Sequence, residues 1–215
     1  NRSVRTRATA GRVPSLVPAM RSPLVISAVA ALALLTGCAT GPRPTLVDAV
    51  TVNDAAVQTV LDRMVPAEEV AFTATYTITP TISDTPTEAT VRQMDGRREI
   101  TIGNVAFVID GDVSTTCRID TQECVDFVDD AAVSDLNVTH RFWGRSFADR
   151  LQVDANRNIG PAEGRLDTIA GHPAACADVP VVGGTVSYCA LDAGVLGRYR
   201  GADVTIELTS FSTGG

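Results

Sequence analysis

Five cysteines are the side chains of this sequence with the most defined chemistry, and the first lies in a recognisable signal. Cys38 ends the tetrapeptide Leu35-Thr36-Gly37-Cys38, which follows a mostly apolar stretch that begins at Leu24. The tetrapeptide has the form of a bacterial lipobox, in which the cysteine receives a diacylglyceryl group and becomes the first residue after cleavage. We therefore expect a lipidated Cys38 and an extracytoplasmic domain anchored to the cell membrane.

The residues before the lipobox have the parts of a signal peptide. Arg21 precedes about a dozen mostly apolar residues and then small ones, whereas a membrane span needs about 20 apolar residues. The sequence thus predicts that residues 1–37 are removed. Met20 stands directly before Arg21, and residues 1–19 are rich in arginine and contain no acid. Our hypothesis is that translation starts at Met20 and that residues 1–19 are untranslated upstream sequence.

The four remaining cysteines form an even set, which is typical of a disulfide framework in an exported domain. They are Cys117, Cys124, Cys176 and Cys189. Four cysteines allow three pairings. Local pairing of Cys117 with Cys124 and of Cys176 with Cys189 is favoured, because the segment between the two cysteines of each pair predicts a hairpin. The alternative is a four-thiolate zinc site, although the spacings are wider than the gaps that such sites prefer.

Other catalytic signals are weak. The two histidines, His140 and His172, belong to no recognisable metal or triad spacing, and we expect His140 on the solvent side of a helix. Gly144-Arg-Ser-Phe-Ala148 lacks the second glycine of a nucleophile elbow, and there is no phosphate-binding or dinucleotide-binding glycine motif. We expect no enzyme activity, no cofactor and no metal.

An acidic stretch has two interpretations, a calcium site or a solvated connection between elements. Its members are Asp126, Asp129, Asp130 and Asp135. Their spacing misses that of an EF-hand loop, so the solvated connection is favoured.

The charge balance excludes one class of partner. All 25 acids but only 13 of the 18 basic residues follow Cys38, so the mature chain has a formal charge of 13 − 25 = −12. Nucleic-acid binding needs a basic surface and is therefore not expected. Residues 38–45 contain two prolines and a glycine and predict an extended tether of roughly 25 Å. Residues 46–212 have the length of one domain.

Periodicity then assigns the elements that would position these residues. Asn53 is the expected N-cap of an amphipathic helix that ends before Pro66, and alternation from Phe72 predicts a half-buried strand. Short strands follow in an antiparallel meander with Asp95-Gly96 as a hairpin turn. An aromatic helix is predicted over residues 137–156. Five more strand-like segments follow, at residues 166–170, 174–180, 185–191, 194–199 and 202–211.

The order lipobox, tether, helix, meander, aromatic helix and closing strands resembles that of actinobacterial-type lipoproteins of the lipoprotein-carrier superfamily. This group includes the LolA-like periplasmic carriers and the LprG/LppX-like lipoproteins. The resemblance implies an α+β fold, in which about two helices cover an unclosed, antiparallel half-barrel sheet. The alternative fold is an NTF2-like, cone-shaped α+β barrel.

The resemblance also implies non-catalytic binding of a lipid or another amphipathic molecule between the sheet and the aromatic helix. The expected ligand-binding residues are Phe72, Tyr76, Phe107, Trp143 and Phe147. The alternative function is an envelope interaction or sensor module that acts through protein contacts, which would need an exposed surface rather than a cavity.

Overall fold

A computed structural model describes residues 54–64 and 70–214. The predicted signal peptide, lipobox, tether and Asn53 cap lie outside the described residues. No helix in the described part of the chain is both long and apolar enough to cross a membrane.

The first helix, α1 (Ala55–Met64), buries the residues whose spacing predicts it. Asp54 caps it, because its Oδ1 accepts the amide N–H of Ala56 at 2.9 Å and that of Val57 at 3.3 Å. Its other oxygen, Oδ2, accepts the amide of Ala162 at 2.9 Å. Asp54 therefore caps α1 and also attaches it to Ala162, which directly precedes a strand far along the chain.

The first half of the sheet is the predicted meander. Its strands are β1 (Phe72–Pro80), β2 (Thr87–Met94), β3 (Arg97–Ile102), β4 (Val105–Asp110), β5 (Val113–Arg118) and β6 (Cys124–Val125). Asp95 and Gly96 join β2 to β3 with φ of 51° and 80°, the left-handed geometry that a two-residue hairpin requires.

The aromatic segment contains a shorter helix than predicted. A 3-10 helix (Asp130–Leu136) ends at Asn137, whose φ of 56° is left-handed, and α2 (Arg145–Asn156) begins only after Gly144. The prediction of a helix from residue 137 is therefore wrong by eight residues. A residue in the left-handed region interrupts right-handed helical geometry, so residues 137–144 form turns instead.

The second half of the sheet is also antiparallel. Its strands are β7 (Glu163–Ile169), β8 (His172–Val181), β9 (Gly184–Leu191), β10 (Leu196–Arg200) and β11 (Val204–Thr213). β8 and β9 each run one residue further than predicted at their shared turn, so only Val182 and Gly183 separate them.

The eleven strands of the described residues form one sheet in the order β6-β5-β4-β3-β2-β1-β11-β10-β9-β8-β7. β1 pairs with β11 over its whole length and joins the two meanders. Because β6 and β7 stand at opposite ends of this order, the described sheet is unclosed. This confirms the predicted antiparallel, unclosed sheet of an α+β fold and is consistent with a half-barrel.

One face of the sheet carries the helices and most of the core. On this helix-bearing face Tyr199 on β10 is the register partner of Ile206 on β11 and of Tyr188 on β9. The same row continues through Ala177 on β8 to Gly164 on β7, which lies next to α1. A Cβ atom at Gly164 would lie 3.0 Å from the Cβ of Ala56, so the glycine permits the close approach of α1 to β7.

Both cysteine pairs form disulfides within their own hairpins, as local pairing predicts. Cys117 bonds Cys124 across β5 and β6, and Cys176 bonds Cys189 across β8 and β9. The zinc alternative is therefore wrong, because every candidate thiolate is consumed by a disulfide.

The two disulfides should differ in their accessibility to reductants. Cys124 is exposed on the short edge strand, whereas Cys176 and Cys189 are only 2% and 0% exposed. We expect mild reduction of the folded protein to open Cys117–Cys124 alone, and alkylation followed by peptide mass analysis measures this. A variant with Cys117→Ala and Cys124→Ala is the control, and it should take up no label at the remaining pair until denaturant is added. Early labelling of Cys176 would contradict the prediction.

Losing the buried disulfide should also destabilise the fold. It closes a 13-residue separation, for which the chain-entropy model gives about 3 kcal/mol. Denaturant titration of a Cys176→Ala/Cys189→Ala variant, compared with the wild type, measures the change in unfolding free energy.

Candidate binding surfaces

The structure brings most of the five predicted ligand-binding residues together in the interior, and none is more than 4% exposed. The ring centroids of Phe72 and Trp143 lie 5.4 Å apart. The rings of Tyr76 and Phe142 meet edge-on with their centroids 5.0 Å apart. The ring of Phe147 lies against Tyr199 on β10 and not against a residue of β1. The predicted residues therefore pack into the core. Aromatic rings of residues 137–156, here called the cover segment, lie against the sheet.

Phe107 lies at the other side of this layer, next to His140. Their ring centroids are 5.9 Å apart. His140 is half-buried in a turn and not on the solvent side of a helix, which corrects the expectation for it. Its Nδ1 lies 3.0 Å from Asp130, and Asp130 also accepts its backbone amide at 2.7 Å. One member of the predicted acidic stretch thus holds the cover segment to the 3-10 helix.

The space beneath the cover segment is occupied mainly by side chains. The cleft beside it, lined by described residues, measures about 170 Å³. Its lining residues are Asn137, Val138, Thr139, Ser146, Phe147 and Arg150. A volume of this size is smaller than the pockets of about 300–1,000 Å³ that take drug-sized ligands. The ligand-binding role of the five aromatic residues stays a prediction.

Three buried aromatic side chains have polar atoms without a hydrogen-bond partner among the residues that the structure describes. These atoms are the Tyr76 hydroxyl, the Trp143 indole Nε1 and the Tyr199 hydroxyl. Buried polar groups are usually paired, so each unpaired group is costly and asks for an explanation. They mark the places in this interior where a polar group of a ligand could be bound.

A polar cluster that sequence reasoning missed stands at the C-terminal part of α2. The hydroxyl of Tyr188 donates a hydrogen bond to Asp154. Arg150 donates to both oxygens of Asp203, at 2.8 and 3.0 Å, and its guanidinium lies 4.7 Å from the ring centre of Tyr199. These pairs join residues 34 to 53 positions apart, so no local sequence signal marks them.

The outer face of the sheet carries a network of ion pairs over the Cys176–Cys189 disulfide. Arg165 on β7 bonds Asp167 at 2.8 Å and Asp178 at 3.1 Å, and Asp167 also bonds Arg198 at 2.8 Å. The backbone amide of Thr168, followed by these two guanidinium groups, holds the pKa of Asp167 below its usual value. Charges of both signs therefore alternate along this end of the sheet.

The outer edge of β7 pairs with no described strand. The Cα atoms of Cys176 and Cys189 are 4.0 Å apart, which is the short spacing of a non-hydrogen-bonded pair. The backbone groups of Cys176 therefore point towards β7, where they meet Arg165. The N–H and C=O groups of successive residues point to opposite sides of a strand. Those of Gly164, Leu166 and Thr168 therefore point away from β8, towards the edge that no described strand pairs with.

The side chain of Leu166 adds an apolar group to this edge. It is 81% exposed and lies on the same face as Gly164, beside α1. A cleft of about 310 Å³ opens next to it between α1 and the sheet. Its lining residues are Ala56, Thr59, Gly164, Arg165, Leu166, Ala175 and Cys176.

Comparisons with known proteins found distant structural similarity only. No protein-family model and no curated protein matches the chain. Among solved structures, it is similar to MucB in complex with periplasmic MucA, to the MucA/MucB complex of Pseudomonas aeruginosa and to MucB alone. Sequence identities are 13%, 15% and 14%, and TM-scores are 0.41, 0.41 and 0.42. The matches cover 75%, 75% and 76% of this chain but 57%, 58% and 60% of the other chains, so it spans less than two thirds of their length.

Buried tyrosines should make the fold sensitive to alkali. The three tyrosines of the chain are Tyr76, Tyr188 and Tyr199, and burial raises the pKa of each phenol above its ordinary value of 10.0. A raised pKa means that the stabilisation is fully present below about pH 10 and is lost as the pH rises further. We expect no tyrosinate absorbance before cooperative unfolding, which circular dichroism follows in the same pH jump. The chain in denaturant is the control, and ionisation of a still-folded protein would contradict the prediction.

Proposed function

We propose that this chain is an extracytoplasmic lipoprotein that is anchored to the cell membrane through Cys38 and acts non-catalytically, by binding a protein partner at its surface. The observation that carries the surface role is a contrast between two parts of the domain. Packed rings occupy the helix-bearing face beneath residues 137–156, whereas the β7 edge pairs with no strand among the described residues and carries an exposed Leu166. Binding at an edge needs no cavity.

Anchoring rests on the lipobox at residues 35–38 and agrees with the cysteine chemistry of the domain. Disulfides persist in oxidising compartments outside the cytoplasm. Two are formed here, and one of them is exposed at the sheet edge. A domain with this chemistry is suited to the cell envelope.

An exposed strand edge is a recognised means of protein binding. An extended segment can add to the sheet through main-chain hydrogen bonds, while side chains on alternate positions provide specificity. β7 has seven residues, and its edge lies next to the cleft beside α1. The edge thus combines backbone hydrogen-bonding groups with an apolar depression for a side chain of the partner.

The second candidate function is the binding of a lipid or another amphipathic molecule, as the resemblance to the lipoprotein-carrier superfamily implies. The three buried polar atoms without partners favour it, because a polar group of a ligand would satisfy them. Phe142, Trp143 and Phe147 already occupy the space against the sheet. A ligand could therefore enter only if the segment over residues 137–156 moved outward.

Loss of the lipidated thiol should release the protein from the membrane. In Cys38→Ala the diacylglyceryl group has no attachment site, so we expect the protein to move from the membrane fraction to the soluble extracytoplasmic fraction. Fractionation and immunoblotting measure this. Retention of the variant in the membrane fraction at the wild-type level would refute anchoring through Cys38.

The two candidate functions differ in what they predict for Trp143, the only tryptophan of the chain. Binding at the surface predicts that fatty acids or phospholipids leave its emission unchanged and that native mass spectrometry finds no copurified lipid. Entry of a ligand under the cover predicts a shift in emission and a retained lipid mass. A Phe127→Ala variant, which alters an exposed ring, is the control and should respond as the wild type does.

A further inference from the structure

We infer that the partner at the β7 edge is a second copy of this chain, paired antiparallel along β7 about a two-fold axis through Leu166. This inference rests on the proposed surface function and names its partner. Residue 166 is the midpoint of β7, so this register pairs all seven residues, Glu163 to Ile169, with the same seven in reverse order. Any other centre shortens the paired segment.

The backbone directions are correct for this register. Gly164, Leu166 and Thr168 point their N–H and C=O groups to the free edge. About the axis, Leu166 meets Leu166 of the second copy, and Gly164 meets Thr168. In antiparallel sheets, residues of this kind exchange two hydrogen bonds per pair. Every free backbone group of these three residues on one edge therefore finds a partner on the other.

The charges of β7 are self-complementary in the same register. Arg165 faces Asp167 of the second copy, and Asp167 faces its Arg165. Natural sheets often use charged edge residues to prevent pairing, and like charges directly opposite each other repel. Here one cation and one anion flank the midpoint, so both opposed pairs attract. The two side chains remain 40% and 31% exposed despite their ion pairs within the chain.

The apolar side chains also match. Leu166 lies on the helix-bearing face, where Leu166 of the second copy would stand directly opposite. The cleft between α1 and β7 opens beside it and is lined partly by Ala56, Thr59 and Gly164. Pairing would thus cover a leucine that is 81% exposed in one chain.

The other end of the sheet is less suited to the same contact. β6 has only two residues, and Cys124 ties it to β5. Among the described strands, β7 is the longer of the two that end the sheet. A single symmetric contact at β7 gives a closed dimer, because both copies use the same surface.

A cysteine at the axis tests the register directly. In Leu166→Cys, the two introduced cysteines would stand opposite each other with their Cα atoms about 5.5 Å apart, a separation that a disulfide can bridge. We would produce the full chain with its own leader in a lipidating bacterial host and oxidise the membranes. The expected result is a covalent dimer several-fold more abundant than in Ile82→Cys, a control whose site is 95% exposed in a turn away from both edges. Equal crosslinking of the two variants would overturn the inference.

Exchange of the charges supplies an independent measurement on detergent-extracted protein. In R165D two carboxylates would face each other in both opposed pairs, and in D167R two guanidinium groups would do so. Each variant alone should lose the dimer in sedimentation velocity. A mixture of the two should restore it, since every opposed pair is then of unlike charge. Variants that stay monomeric when mixed but keep the wild-type thermal unfolding would overturn the inference, and if either fails to fold, the crosslinking result decides.

The crosslinking experiment also separates failure of this inference from failure of the proposed function. A Leu166→Cys adduct with a different protein would overturn the second copy as partner while supporting a surface function. A monomer whose thiol at 166 resists a soluble maleimide would mean that another part of the same chain covers the edge, which overturns both. An accessible thiol with no adduct of any kind would also overturn both.

Discussion

The pairing of β1 with β11 is the contact on which the rest of the structure depends. Each half of the sheet is a meander built from short, local hairpins, and these halves are far apart in the chain. β1 and β11 unite them along nine register positions, with a shift between Thr75 and Tyr76. Local hairpins form readily, but this pairing must close a loop of more than a hundred residues. Its entropic cost is offset by burial of Phe72, Tyr76 and Ile78 on the helix-bearing face.

The same face explains why the interior is packed. Small side chains lie beneath α1, including Ala175 and Ala177 on β8, so the helix can approach the sheet closely. At the centre of the sheet the buried rings of Trp143 and Phe147 pack on Phe72 and Tyr199. The aromatic part of this face is therefore packed, whereas a cleft of about 310 Å³ opens beside α1. An amphipathic ligand would have to displace these contacts, whereas a partner at the edge would not.

The end of the sheet at β7 is held by covalent and ionic contacts, yet its outer edge pairs with no described strand. A buried disulfide links β8 to β9. Asp167 on β7 forms ion pairs with Arg165 on the same strand and with Arg198 on β10. Exposed ion pairs of this kind each contribute little to stability. Their value here is geometric, because they hold charges of both signs at defined positions beside backbone groups that no described strand pairs with. An edge held in this way is prepared for a partner of matching charge.

Local features of the chain were readable from the sequence because their partners are local. Alternation in β1, the Asp95-Gly96 turn and both disulfide pairings each depend on residues a few positions apart. The lipobox is a contiguous signal as well, and it determined the expected anchoring and compartment. The start of α2 was not readable, because the aromatic spacing continues through residues 137–144, whereas the backbone leaves helical geometry at Asn137 and again at Gly144.

Only the tertiary structure decided which surfaces remain free. The position of β7 at the end of the sheet follows from the β1–β11 pairing, which no local pattern encodes. The same pairing set the contacts of Arg150 with Asp203 and of Tyr188 with Asp154, between residues far apart in the chain. Sequence periodicity shows which side of a strand is buried, but it does not show which strands are neighbours. The aromatic residues were therefore recognisable as a group from the sequence, whereas their packing and the exposure of Leu166 depended on the order of the strands.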